Sequence, residues 1–177
     1  MTMKKVLILL SALVLGFVAV SCDRNTLEPG QTAAMELAGE WYVTCDLIDA
    51  SGNVIFTGAD AFGLEERFLL LTYNTAKDVA TEIFIDDLEE FWPVKVQCTG
   101  DPSALTFGVT DGANLYEDEA VTVTGKIVKN GTKTPSGQPA DYIEVLFTFQ
   151  GDTLPSAYGF NYYRLSGWRN TGFVLDM

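Results

Sequence analysis

The sequence predicts an all-β domain of about eight or nine antiparallel strands, and three observations carry that expectation. From Glu40 onward short apolar runs alternate with period two. Clusters of Gly, Asn, Asp and Pro separate the runs, and helical spacing is scarce. Strands are expected at 40–48, 54–58, 66–74, 81–86, 94–99, 104–110, 120–129, 141–150 and 159–168. In the first, Trp41, Val43, Cys45 and Leu47 share a face opposite Tyr42, Thr44, Asp46 and Ile48. In the eighth, Ile143, Val145, Phe147 and Phe149 oppose Tyr142, Glu144, Leu146, Thr148 and Gln150. Reversals are expected at 50–53, 100–103, 111–114, 129–139 and 151–152. So many strands in one small chain either close into a meander barrel or stack as a sandwich.

Charge and composition narrow the function. The 177 residues hold 11 Lys and Arg against 24 Asp and Glu, a formal charge of -13, so phosphate backbones are repelled and nucleic acid is excluded as an expected partner. There is no His, which removes the Ser-His-Asp and Cys-His arrangements and the commonest transition-metal ligand. Hydrophobic residues make up 47% and aromatics 12%, enough to fill a core or line an apolar cavity. At the N-terminus Lys4 and Lys5 precede an apolar run over 6–20 broken only by Ser11 and Gly16. That run is short of the roughly 20 residues a membrane-spanning helix needs and matches a secretory signal, expected over 1–21. Residues 23–34 are polar and carry Pro29 and Gly30, as a tether does.

Ala19-Val20-Ser21-Cys22 resembles the lipobox of bacterial lipoproteins. The resemblance implies a diacylated Cys22, a tether over 22–36 and a barrel domain over 37–177, in the cell envelope at the outer membrane or cell surface. Asp23 resembles surface-export signals of some anaerobes and retention signals of enteric bacteria, so the leaflet stays open. Gly39-Glu40-Trp41 at the entrance to the first strand resembles the lipocalin signature. That likeness selects an up-and-down, lipocalin-like β-barrel of about eight strands over the sandwich. It implies that Gly39 and Trp41 close the barrel floor under an Arg from the last strand, with Arg169 the candidate and Arg164 second.

Further blocks, Leu70-Leu71-Thr72-Tyr73-Asn74-Thr75-Ala76, Ile85-Asp86-Asp87, Phe91-Trp92-Pro93-Val94-Lys95-Val96 and the run from Tyr163 to Phe173, resemble bacterial lipoproteins described as lipid-binding putative hydrolases with a lipocalin-like barrel. The likeness covers 37–173 and implies a cavity for a small apolar ligand or lipid. Tyr73, Phe84, Trp92, Phe160 and Tyr162 are the candidate ligand-lining aromatics.

The hydrolase half of that description finds no support in the residues. Ser166-Gly167 has no His to activate it, and a Ser-Lys pair would need one of Lys77, Lys95, Lys126, Lys129 or Lys133 buried beside a Ser. Glu82, Asp86, Asp87, Glu89 and Glu90 gather around one turn and Asp111, Glu117, Asp118 and Glu119 around another. Solvated turns that guard strand edges account for both better than a calcium site or paired catalytic acids, and neither has calcium-loop spacing. Cys45 and Cys98 both point inward, and the spacing leaves a disulfide between them open. No catalytic residue, metal or cofactor is therefore assigned, and enzymatic activity is left open with no activity the better account. The expected protein is a lipid-anchored extracytoplasmic barrel that binds an apolar ligand. A surface carbohydrate-binding lipoprotein is the first alternative and a hydrolase the second.

Overall fold

The computed structural model describes residues 31–64 and 67–176; the expected signal segment, Cys22 and residues 22–30 of the tether lie outside the described residues. The strands are β1 (Gly39–Ile48), β2 (Val54–Thr57), β3 (Phe68–Asn74), β4 (Glu82–Asp86), β5 (Lys95–Asp101), β6 (Thr106–Ala113), β7 (Ala120–Lys133), β8 (Pro139–Phe149) and β9 (Tyr162–Arg169). Among the described residues, two short helices, α1 (Gly58–Phe62) and α2 (Leu154–Tyr158), and a 3-10 turn (Val174–Asp176) complete the order. From β3 to β9 each strand pairs antiparallel with the next, β1 pairs with β3, and β1 pairs with β9 from Trp41 to Ile48. Eight strands thus close an up-and-down barrel and β2 stands outside it. β2 occupies the edge of β1 at Asp46–Ile48, beyond Val43 where β3 leaves.

Alternation puts one face of every barrel strand inside. Val43, Leu70, Ile83, Ile85, Val145 and Leu165 have no surface that water reaches, so the lower barrel is packed solid. Cys45 and Cys98 belong to this packing as free, buried thiols, and burial pushes both up to about 12, with the Asp46 charge adding to the effect at Cys45.

Because β1 runs from floor to mouth, its first residues meet the last residues of β9. Trp41 is fully buried, and the guanidinium carbon of Arg169 lies 4.2 Å from the centre of its ring. Trp41 Nε1 donates to Thr72 Oγ1 at 2.9 Å, and that hydroxyl donates to the Leu37 carbonyl at 2.7 Å. Arg169 is held in turn by donating from Nη1 to the Ala38 carbonyl at 2.7 Å and from Nε to Asp141 at 3.2 Å. A Cβ at residue 39 would overlap that guanidinium, which explains the glycine.

The structure departs from the expected elements at both ends of the barrel. The reversal expected at 111–114 is carried inside β6, because Asp111 adopts a φ of 51° at a bulge between Val109 and Gly112 and donates its amide to Thr122 Oγ1. The actual turn follows Asn114, whose side chain donates to the Pro93 carbonyl and accepts from the Lys95 amide. The reversal expected at 129–139 shrinks to 134–138, since β7 passes through a bulge at Asn130, whose amide donates to Asp141 at 3.0 Å. Helices α1 and α2 were not expected, because five residues are too few to show a 3.6-residue period.

Trp41→Ala is expected to cost ~3–5 kcal/mol as a buried aromatic truncation. Gly39→Ala should displace the far end of Arg169 and crowd the edge of the Trp41 indole, and cost about 1–2 kcal/mol, the worth of a partly buried cation over an aromatic face. Urea unfolding of the two variants checks the order; equal losses would mean that the guanidinium, not the indole, holds the floor.

Candidate functional site

The opposite end of the barrel is built differently. Here the β4–β5 loop, residues 87–94, folds across the opening and inserts Phe91. Its ring lies 5.5 Å from Tyr163, 6.3 Å from Phe68 and Phe149, and 6.4 Å from Phe147, centre to centre. Trp92 stacks on Phe149 at 4.8 Å and donates from Nε1 to Glu119 at 2.8 Å. Phe160 meets Tyr163 edge-on at 4.9 Å, and Tyr163 donates to Asp152 at 2.6 Å. Burial is the main cause that holds the Tyr163 phenol above its ordinary range, and Asp152 adds to it.

One buried carboxylate fixes this plug. Asp87 accepts from four backbone amides, those of Glu89 and Val94 on Oδ1 and those of Phe91 and Trp92 on Oδ2, at 2.9–3.1 Å. Leu88 and Glu89 take left-handed φ angles of 57° and 65°, strain that these bonds offset. Burial pushes the Asp87 carboxyl up from its ordinary value against the pull of those amides.

Outside the plug, α1, β2 and α2 enclose an apolar pocket of about 360 Å³ lined by Leu47, Phe56, Asp60, Ala61, Phe62, Leu154 and Tyr158. Thr57 caps α1 by accepting from the Asp60 amide and donating to its carboxylate, and Gly63 ends the helix at a φ of 66°. Leu47 forms the floor, while Phe56, Phe62 and Tyr158 stand 38%, 42% and 58% exposed at the rim. A wider concavity of about 840 Å³ on the outer wall of β5–β8 is an open trough between strands, bordered by threonines and the Lys126–Glu144 ion pair. Depth and apolar enclosure favour the smaller pocket.

The structure brings only two of the five candidate lining aromatics to this end's interior, Trp92 and Phe160. Tyr162 lies opposite Ile48 on the outer edge and is 36% exposed. Tyr73 and Phe84 are on the outer wall, with Lys95 Nζ 5.4 and 5.9 Å from their ring centres and 5.8 Å from that of Tyr116. Beneath that ammonium, Asp86 accepts from Tyr73 Oη at 2.8 Å, Tyr116 Oη at 2.9 Å and the Leu88 amide at 3.1 Å, and pairs with Lys95 at 3.2 Å. Burial opposes its ionisation, yet these donors prevail and hold the Asp86 carboxyl below its ordinary range. Hydrogen bonding to Tyr73 outweighs desolvation at Lys95, which is raised. Sequence reading missed Phe91, Phe62 and Leu154 as mouth residues. The signal for Phe91 was present: a bulky aromatic pair placed in a loop directly after two glutamates and separated by three residues from Asp86-Asp87.

A closed antiparallel barrel with a latched floor, an aromatic-plugged mouth and an apolar pocket above the plug has the form of a binding protein for apolar molecules. A family model described as lipid-binding putative hydrolase matches residues 26–174, and the chain belongs to that family. No match is found among curated proteins.

Asp87→Ala leaves four amides without their acceptor and is expected to cost at least ~3 kcal/mol, with Phe91 released and binding of a hydrophobic dye increased. An unchanged unfolding midpoint and no dye binding would refute the anchoring role. The Asp86–Lys95 cluster predicts a pH profile. The depressed Asp86 carboxyl contributes stability that is present above its unfolded value near ~3.9 and is lost as pH falls through the folded value. The raised Lys95 ammonium contributes stability that is present below ~10.4 and is lost as pH rises through its folded value. Asp86→Asn should flatten the acid limb of unfolding free energy against pH, and Lys95→Met the alkaline limb.

Proposed function

We propose that this protein is a lipid-anchored envelope lipoprotein whose barrel mouth receives the tail of an amphiphile. In this reading residues 1–21 are a signal peptide, Cys22 is acylated and 22–36 form the tether. The apolar pocket beneath α1 and α2 carries the binding half of the proposal. Its volume, about 360 Å³, lies at the low end of ligand sites and suits one tail segment rather than a whole lipid. Each Å² of apolar tail removed from water contributes about 25 cal/mol. A longer tail would have to displace Phe91 and enter the barrel, so the plug sets how much chain is accommodated.

The charges around the mouth select the headgroup. Among the described residues Asp60 is the only charged one in the pocket lining, and the adjoining loops present Asp152, Glu117, Asp118 and Glu119. Such a rim disfavours a carboxylate or phosphate and suits an uncharged or cationic head. A glycan-binding surface draws support from the outward aromatics. Four of them carry a cation over the ring, however: Lys95 lies over Tyr73, Phe84 and Tyr116, and Arg67 lies 5.7 Å from the Trp168 ring. Hydrolysis has little to work with, since the thiols are buried and raised, Lys77, Lys95, Lys126 and Lys129 are each committed to carboxylates, and Lys133 is exposed rather than buried beside a Ser.

Native mass spectrometry of the full chain, titrated with a monoacylglycerol and separately with the matching fatty acid, tests the reading. The neutral amphiphile is expected to bind and the acid to bind more weakly. Ala61→Trp fills the pocket from an exposed helical position and should weaken binding at least about tenfold, the ratio that corresponds to 1.4 kcal/mol, with the melting temperature unchanged. Binding untouched by Ala61→Trp would place the site elsewhere.

A further inference from the structure

The floor of the barrel carries an apolar feature that binding at the mouth does not use. Phe173, Val174 and Leu175 are 67%, 81% and 72% exposed, three consecutive large side chains in water. They do not belong to a loose strand of chain. Asp176 is almost fully buried: Oδ1 accepts from the Ser136 amide at 3.0 Å, Oδ2 from Thr171 Oγ1 at 2.7 Å, and its carbonyl from Trp168 Nε1 at 3.2 Å. The Asp176 amide donates to the Phe173 carbonyl at 2.9 Å, closing the 3-10 turn. The fold therefore commits a buried carboxylate to holding three apolar side chains outward, where each would lose less by folding back.

The position of this knob identifies what covers it. Arg169 bonds Ala38, Asn170 donates its amide to the Glu40 carbonyl, and Lys129 pairs with Glu36, so residues 36–40, the β7–β8 hairpin and the knob share one end of the barrel. Met35, 44% exposed, stands at the same end. The described fold begins there, and Cys22 precedes Thr32 by ten residues, which span at most about 33–36 Å when extended.

We infer that the Phe173-Val174-Leu175 knob inserts into the bilayer that carries the acyl anchor, so that the floor of the barrel lies against the membrane and the mouth faces away from it. The inference rests on the proposed acylation of Cys22. Diacylation holds the chain on the bilayer without fixing which way the barrel faces, and a second apolar contact converts an attached domain into an oriented one. A mouth turned away from its own membrane exchanges ligand with a soluble carrier or an opposing surface rather than with the lipid beneath it.

The test uses the full chain produced with its lipid and reconstituted into vesicles of phosphatidylethanolamine and phosphatidylcholine. Val174→Cys and Tyr158→Cys each receive an environment-sensitive fluorophore; Cys45 and Cys98 are buried and leave the label selective. Mass spectrometry and vesicle flotation report the anchor independently. The expected result is a blue-shifted probe at 174, quenched by lipid-borne nitroxides, and an unshifted probe at 158. In the Phe173→Asp/Leu175→Asp background the shift at 174 should vanish while flotation and the melting temperature persist. Chains that float and are acylated, yet keep the 174 probe in water, overturn the inference and leave the anchor standing. An unacylated chain that does not float overturns both.

Discussion

Everything in this barrel depends on the closure of β1 against β9, and the Trp41–Arg169 contact is where that closure is enforced. A barrel gains over an open sheet only if first and last strands meet in one register. The indole fixes β1 by bonding Thr72 on β3, while the guanidinium fixes β9 by bonding the chain just before β1 and Asp141 on β8. Four strands are thus tied through one partly buried cation over one ring. Register then propagates upward as paired inward residues, Val43 opposite Gly167 and Cys45 opposite Leu165, whose burial leaves no alternative alignment.

That solidity at the floor defines what the mouth can do. Because Val43, Leu70, Ile83 and Ile85 are already packed to the density of a core, a ligand has no room below the plug without moving side chains. The plug itself is held by polar bonds to Asp87 and by aromatic edges, both of which can rearrange locally while the strands remain paired. Stability is therefore graded along the barrel axis, and the site is placed at the end with the lower local stability. Binding and folding occupy different ends of the same strands.

Much of this was legible in the residues. Period-two alternation placed the inward faces of β1 and β8 correctly, and Gly39-Glu40-Trp41 located the floor, because a buried indole beneath a glycine leaves a local signature. What alternation cannot say is whether an aromatic on a given face lines a cavity. Tyr73, Phe84 and Tyr162 alternate as strand residues, yet their faces turned out to be the outer wall, where Lys95 makes two of them part of an ion cluster. Phe91 escaped for the converse reason. It lies in a loop, and its inward course is fixed by left-handed residues and a buried aspartate forty-odd positions from the nearest glycine motif, Gly39, rather than by any period.

The distribution of cations argues the same division of labour. Among the described residues, Lys77, Lys95, Lys126, Lys129, Arg164 and Arg169 are each within an ion pair, and Arg67 lies over Trp168. These pairs sit on the walls and at the floor, where they knit neighbouring strands: Lys126 to Glu144 across β7 and β8, Arg164 to Asp46 across β9 and β1. At the mouth Lys95 pairs with Asp86 at the base of the plug loop, while among the described residues Asp60, Asp152, Glu117, Asp118 and Glu119 have no ion-pair partner, so the field there is that of unpaired acid. Among the cations of the described residues Lys133 alone lies outside such contacts, and it stands at the floor end beside the β7–β8 hairpin, away from any headgroup at the mouth. In the proposed reading, recognition at such a mouth falls to apolar area, which the pocket under α1 and α2 supplies, with the acidic rim acting by exclusion rather than by capture.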